Sequence, residues 1–135
     1  SSDEQLSAIA GKAVKEARYH REHAADWVVR LGDGTEESTR RMARALERLW
    51  PYCAELFDAD ETDREAAAQG LGPAWSALEE AWRADVSAVL QEAGMTLPAD
   101  SAFRSDGKRG RHSEHMGRLL AEMQYLHRAF PGGVW

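Results

Sequence analysis

The chain has 135 residues, with 17 lysines and arginines against 23 aspartates and glutamates, a net charge of −6 and one cysteine. This length makes one domain or part of one, the acidic balance disfavours nucleic acid as a partner, and a lone Cys53 excludes an internal disulfide and a cysteine-based zinc site. No apolar run approaches the roughly 20 residues that span a bilayer, so a membrane is not expected, and the absence of a signal-like start together with the free thiol suggests a cytoplasmic protein.

The opening Ser1-Ser2-Asp3-Glu4 reads as a helix N-terminus, and as the start of a truncated or proteolysed piece rather than of a gene product. Apolar residues at Leu6, Ile9, Ala13, Ala17, Ala24, Trp27 and Leu31 predict a first helix over about Asp3 to Leu31, capped by Ser2 or Asp3 and ended by Gly32. Gly32-Asp33-Gly34-Thr35 is a turn, and Asp33 or Thr35 can cap the next helix, whose first turn holds Glu36 and Glu37. That second helix is predicted over about Glu36 to Phe57, with a stripe of Met42, Ala45, Leu46, Leu49, Cys53, Leu56 and Phe57. Pro51 lies inside it and predicts a kink near Glu47 to Trp50.

Asp58 to Gly72 reads as an acidic, alanine-rich connector with room for a short helical turn. Pro73 suits a first helical turn, and a third helix over about Pro73 to Ala93 is expected to bury Trp75, Leu78, Trp82, Val86, Val89 and Leu90 before Gly94 closes it. Met95 to Arg111 is a long polar loop. The last helix, about His112 to Phe130, is expected to bury Met116, Leu119, Leu120, Met123, Leu126 and Phe130 before Pro131-Gly132-Gly133. The sequence carries no strand pattern and no repeat, so the expected class is all-α.

Four groups of residues could carry chemistry. Glu16 and His20, one turn apart, could bind a metal or share a proton, although a buried polar pair satisfied by neighbouring helices is the commoner outcome. His112 and His115 share a face across His112-Ser113-Glu114-His115, but this stretch also reads as a plain helix start with Ser113 as a cap and Glu114 at the positive end of the dipole. Glu122 and Tyr125 repeat the spacing of Glu16 and Tyr19, which in the last helix reads as chance. Arg104, Lys108, Arg109 and Arg111 form a basic loop that could pair with phosphates, such as those of a coenzyme A ester, or with an acidic partner; a solvated loop is the ordinary alternative. Of five tryptophans, Trp27 and Trp82 are expected in the core, Trp75 in the third helix, and Trp50 beside the kink and Trp135 on the tail at an interface.

Several stretches taken together resemble one family. They are Lys15-Glu16-Ala17-Arg18-Tyr19-His20, Trp27 to Thr35, Leu49-Trp50, Ala54 to Glu61, His112 to Gly117, and Leu120 to Leu126. The chain resembles the PaaC-type subunits of phenylacetyl-CoA epoxidase, a multicomponent bacterial monooxygenase of aerobic phenylacetate degradation. The resemblance implies a ferritin-like helical bundle, of which this chain would be a C-terminal half with about four main helices. It further implies a structural, non-catalytic subunit that pairs with a PaaA-type di-iron catalytic subunit, as a homo- or hetero-oligomer, and no cofactor in this chain itself.

The residues agree with that implication. The first stretch nearly spells the di-iron ligand motif Asp-Glu-x-Arg-His, in which a glutamate and a histidine three positions later put two ligands on one helix face. Here Lys15 stands for the aspartate and Tyr19 for the histidine. A phenol is protonated at neutral pH and replaces a neutral nitrogen donor. A cation at Lys15 replaces the carboxylate that orients a ligating histidine. The stretch therefore reads as a degenerate site of Lys15, Glu16, Tyr19 and His20, with Glu16 and His20 surviving as a buried pair. Two alternatives remain open: an autonomous ferritin-like di-iron oxidase or monooxygenase, and a generic helical interaction module. A half-bundle should also expose apolar stripes and self-associate.

Overall fold

A computed structural model describes residues 1–134 and is helical throughout, with no strand among the described residues. It comprises α1 (Glu4–Gly32), α2 (Glu36–Leu49), a 3₁₀ helix (Trp50–Phe57), α3 (Glu61–Ala68), a 3₁₀ turn (Trp75–Leu78), α4 (Glu79–Glu92), a 3₁₀ turn (Gly107–Arg109) and α5 (His115–Ala129). These elements fall into two compact units, Ser1–Arg104 and the residues from Ser105 onward.

Local chemistry sets most boundaries of the first unit. Asp3 caps α1 by accepting the Leu6 amide at 2.6 Å. Thr35 caps α2 by accepting the Ser38 amide at 3.2 Å, and the Thr39 hydroxyl donates to the Gly32 carbonyl at 2.7 Å. The α1 to α2 turn is thereby fastened at both ends. Pro51 does more than kink the second helix. Without an N–H it cannot donate to the Glu47 carbonyl, and its ring crowds that carbonyl. The α-helix stops at Leu49 and the chain continues as eight residues of 3₁₀ helix.

The connector expected after Asp58 holds a full element. Asp60 and Asp63 exchange hydrogen bonds, each side chain accepting from the other's amide at 2.9 Å, and this capping box starts the eight-residue α3. Gly70, at φ 72°, ends it in the left-handed conformation that favours glycine. Ser2 then donates from its amide to the Gly70 carbonyl at 2.8 Å and from its hydroxyl to the Gln69 carbonyl at 3.0 Å. The N-terminal residues thus satisfy carbonyls that the end of α3 leaves open. Pro73 precedes a 3₁₀ turn rather than the helix, and α4 begins only at Glu79.

The core of the first unit is small. Its fully buried apolar residues are Trp50, Leu90 and Ala93. The end of α1 packs here through half-buried Val28 and Val29 and buried Gly32. A β-carbon at Gly32 would lie 2.7 Å from the Ala93 β-carbon, 2.8 Å from its carbonyl oxygen and 2.9 Å from the Met95 methyl. Only glycine permits this approach. By contrast, every residue of α1 before Ala25 is exposed, including Leu6 and Ile9.

In the second unit a small antiparallel bridge joins Asp106 to Arg111 around the Gly107–Arg109 turn. The last helix starts at His115, three residues later than its pattern predicts, and Ser113 gives it no side-chain cap. The apolar stripe expected to be buried on α5 is open: Leu119, Leu120, Met123, Leu126 and Phe130 are 40–70% exposed. Among the described residues the second unit has no other long helix of its own to cover that face. Leu78, expected in the core, is 48% exposed, and Trp27 is 49% exposed.

Candidate functional site

The degenerate motif sits in the middle of α1. The His20 Nε2 lies 3.5 Å from a Glu16 carboxylate oxygen, so the expected pair forms. It is not buried: the two side chains are 77% and 67% exposed for Glu16 and His20. Lys15 and Tyr19 are exposed as well. The sequence places these residues near an apolar stripe, but the packing of the first unit covers α1 only from Ala25 onward.

Beside this pair the exposed face of α1 carries a run of rings. Tyr19 stacks on His23 with centroids 6.2 Å apart and planes 14° apart, and His23 meets Trp27 edge-on at 6.4 Å. The Arg30 guanidinium lies over the Trp27 indole at 5.8 Å. The spacing of four positions between rings on one helix face produces this ladder. The donor set here is one carboxylate and one imidazole, flanked by the ammonium of Lys15 and the phenol of Tyr19. Among the described residues no three histidine, cysteine, aspartate or glutamate side chains converge on one point.

The basic loop is divided. Arg104 belongs to the first unit and Lys108, Arg109 and Arg111 to the second. The Arg104 guanidinium donates to the backbone carbonyls of Ser101 at 2.7 Å and Phe103 at 2.9 Å. Arg109 pairs with Asp106 at 3.4 Å, and Arg111 joins the backbone bridge to Asp106. His115 approaches Glu114 at 4.0 Å on the exposed start of α5.

Trp50, expected at an interface, is buried within the first unit. At 5% exposure it is the largest residue of the core. Its indole stacks on Trp82 with centroids 5.8 Å apart, and Phe57 meets Trp82 edge-on at 5.3 Å. Trp50 keeps α-helical geometry at the end of α2, its amide donating to the Leu46 carbonyl, and from there its ring packs on α4. Trp135, the other expected interface tryptophan, lies outside the described residues.

Around this aromatic cluster lies a cavity of about 370 Å³, which sequence reasoning missed. Trp50, Cys53 and Trp82 line it together with Arg83, Asp100 and Arg104. Arg83 donates to Glu79 at 2.9 Å and to both carboxylate oxygens of Asp100 at 3.2 and 3.3 Å. Its guanidinium also lies over the Trp50 ring at 5.7 Å. The hydrogen bond to Glu79, seconded by that to Asp100, pushes the Arg83 guanidinium above its ordinary range. Burial pushes the Cys53 thiol up, against a smaller opposing pull from Arg83. No spacing pattern could have marked this cavity, because its walls come from three separate stretches of the chain.

Residues 1–135 match the sequence model of the phenylacetic acid catabolic protein family. Over all 135 residues the chain is 47% identical to one of the subunits of the 1,2-phenylacetyl-CoA epoxidase of Escherichia coli (strain K12), and the match takes in 54% of that protein. The chain therefore spans about half the length of the curated relative it matches.

Proposed function

The chain belongs to the phenylacetic acid catabolic protein family, and from that premise we propose that it serves as a non-catalytic part of a phenylacetyl-CoA epoxidase, a structural partner of a di-iron catalytic subunit. One observation carries the reading: the stretch Lys15-Glu16-Ala17-Arg18-Tyr19-His20 keeps a carboxylate and an imidazole but lacks the rest of a ligand set. A di-iron centre in the ferritin-like class draws carboxylates from four helices and histidines from two. Here an ammonium and a phenol occupy the positions of an orienting carboxylate and a ligating imidazole, and this donor set does not fit two iron ions. The chain holds no iron of its own, and the oxidation belongs to its partner.

What the chain supplies in this reading is surface. The first six turns of α1 and the apolar stripe of α5 are open, and apolar faces of that extent mark protein contacts. The soluble, cytoplasmic placement follows from the same role in a catabolic enzyme, and no helix among the described residues is long and apolar enough to cross a membrane.

The test is co-expression of the polypeptide carrying this chain with a PaaA-type subunit, followed by affinity purification and iron analysis. The expected result is a stable complex whose iron stays with the partner when the two are separated. Stoichiometric iron in this polypeptide alone would replace the reading with that of an autonomous di-iron oxidase. Separate elution of the two at micromolar concentration would leave a helical module without an epoxidase role.

A further inference from the structure

The loop leaving α4 is fastened at its two ends in different ways. At its start, the Met95 amide donates to the Leu90 carbonyl at 2.7 Å, and Gly94 at φ 69° completes the helix end. That end belongs to the buried core around Ala93. Leu97 and Pro98 follow, both half-buried, and beyond them two side chains tie residues 99–104 to the helices. Asp100 takes both of its carboxylate oxygens to Arg83 on α4. Phe103 meets Tyr52 of the 3₁₀ helix edge-on, with centroids 5.2 Å apart. Both attachments are partly solvent-exposed, with Asp100 at 68% and Phe103 at 47%. Asp100, Ser101 and Arg104 of this segment line the cavity together with Trp50, Cys53 and Trp82.

We propose that residues 99–104 form a latched strap at the edge of the cavity, held by the Arg83–Asp100 pair and the Tyr52–Phe103 contact, whose release opens the aromatic cavity further to solvent. Three features separate this segment from an ordinary loop. Its near end is fixed by the helix terminus and by half-buried Leu97 and Pro98. Arg104 donates back to the carbonyls of Ser101 and Phe103, so the distal part is folded on itself and moves as one piece. The two attachments are side-chain contacts of modest strength, which open more readily than the helices they join. Arg83 remains held by Glu79 when Asp100 departs, so opening leaves no cation stranded.

Cys53 reports on the strap, because it is the only thiol of the chain and lines the cavity. The rate of its reaction with dithiobis(nitrobenzoate) is measured from neutral to alkaline pH, where the thiolate is the attacking species. The plateau at high pH reads access, and the midpoint reads the thiol's own ionisation. Asp100→Asn removes one attachment, and Phe103→Ala removes the other without altering any charge. Each variant is expected to raise the plateau about two- to fivefold. Added salt is expected to raise the wild-type plateau by a similar factor and to leave that of Asp100→Asn unchanged. Plateaus equal to the wild type in both variants would overturn the strap, even if the midpoint moved. Plateaus that rise with the steep urea dependence of whole-chain unfolding would overturn it too, since the thiol would then be exposed by unfolding.

Discussion

The imidazole of His20 stands 3.5 Å from the carboxylate of Glu16, one turn away on the same face of α1, and both side chains lie in solvent. An exposed pair at this spacing contributes a few tenths of a kcal/mol to a helix. Glu16→Gln is therefore expected to change the unfolding free energy by less than about 0.5 kcal/mol, read from urea denaturation followed by circular dichroism. A loss of about 3 kcal/mol or more would mean that the pair is buried in the molecule in solution.

Gly32 predicts a larger effect. A β-carbon there would press on the β-carbon and carbonyl of Ala93 at 2.7 and 2.8 Å. Neither atom can rotate away, since one belongs to the backbone and the other is fixed to it. Gly32→Ala is expected to destabilise the first unit by about 1–3 kcal/mol, despite the better helix propensity of alanine. Thermal unfolding of the two proteins side by side decides it, and an unchanged or higher midpoint would show that α1 does not pack this closely on α4.

The capping box of α3 gives a third expectation. Asp60 accepts the Asp63 amide at 2.9 Å, and an eight-residue helix has little besides its ends to hold it. Asp60→Ala is expected to cost about 1 kcal/mol and to raise amide exchange selectively across residues 61–68. Ser2 should loosen with it, because both of its hydrogen bonds go to carbonyls at the far end of α3. Exchange rates in α3 that match the wild type would remove the box as the source of its stability.

The sequence was legible wherever a local signal decides the outcome. The caps Asp3 and Thr35, the terminator Gly94 and the all-helical class all follow from residues close to the feature they fix. Pro51 was visible as a disruption, but its consequence was not: a kinked helix and a switch to 3₁₀ geometry begin with the same missing donor. Periodicity marked which positions of α1 and α5 are apolar. It could not say that these faces would remain open, because burial depends on what else is present to cover them. For the same reason Glu16 and His20, expected as a buried pair, are exposed, and Trp50, expected at an interface, is buried. The cavity left no trace in the sequence, since Trp50, Trp82 and Asp100 come together only through the fold.

Cys53 carries a pH dependence whose sign is fixed by its cause. Burial raises the thiol above its ordinary value and outweighs the pull of Arg83. The unfolded chain therefore ionises first as pH rises. The small stabilisation this group gives is fully present below the ordinary thiol range and is lost as pH climbs toward the raised folded value. Alkylation by iodoacetamide is accordingly expected to show a higher midpoint pH in the folded protein than in the same protein in urea. A lower midpoint in the folded state would make Arg83 the stronger influence.

The open stripe of α5 leads to the last expectation. Leu119, Met123, Leu126 and Phe130 recur at steps of four, three and four, the spacing of a helix seam that closes on another helix. They are 53%, 70%, 53% and 59% exposed, with Leu120 alongside at 40%. Burial of one leucine or methionine side chain is worth about 1.5–3 kcal/mol, so several on one face drive association even after its entropic cost. The chain alone is expected to sediment above its monomer mass of 15.0 kDa at tens of micromolar. Met123→Glu with Leu126→Glu should return it to the monomer while leaving the first unit folded, because both residues lie in the second. A PaaA-type subunit competing for the same face would likewise dissolve the self-associated form and take up the chain. If the wild type sediments as a monomer throughout that range, the stripe is not an association surface, and the contact with a partner must be sought on α1.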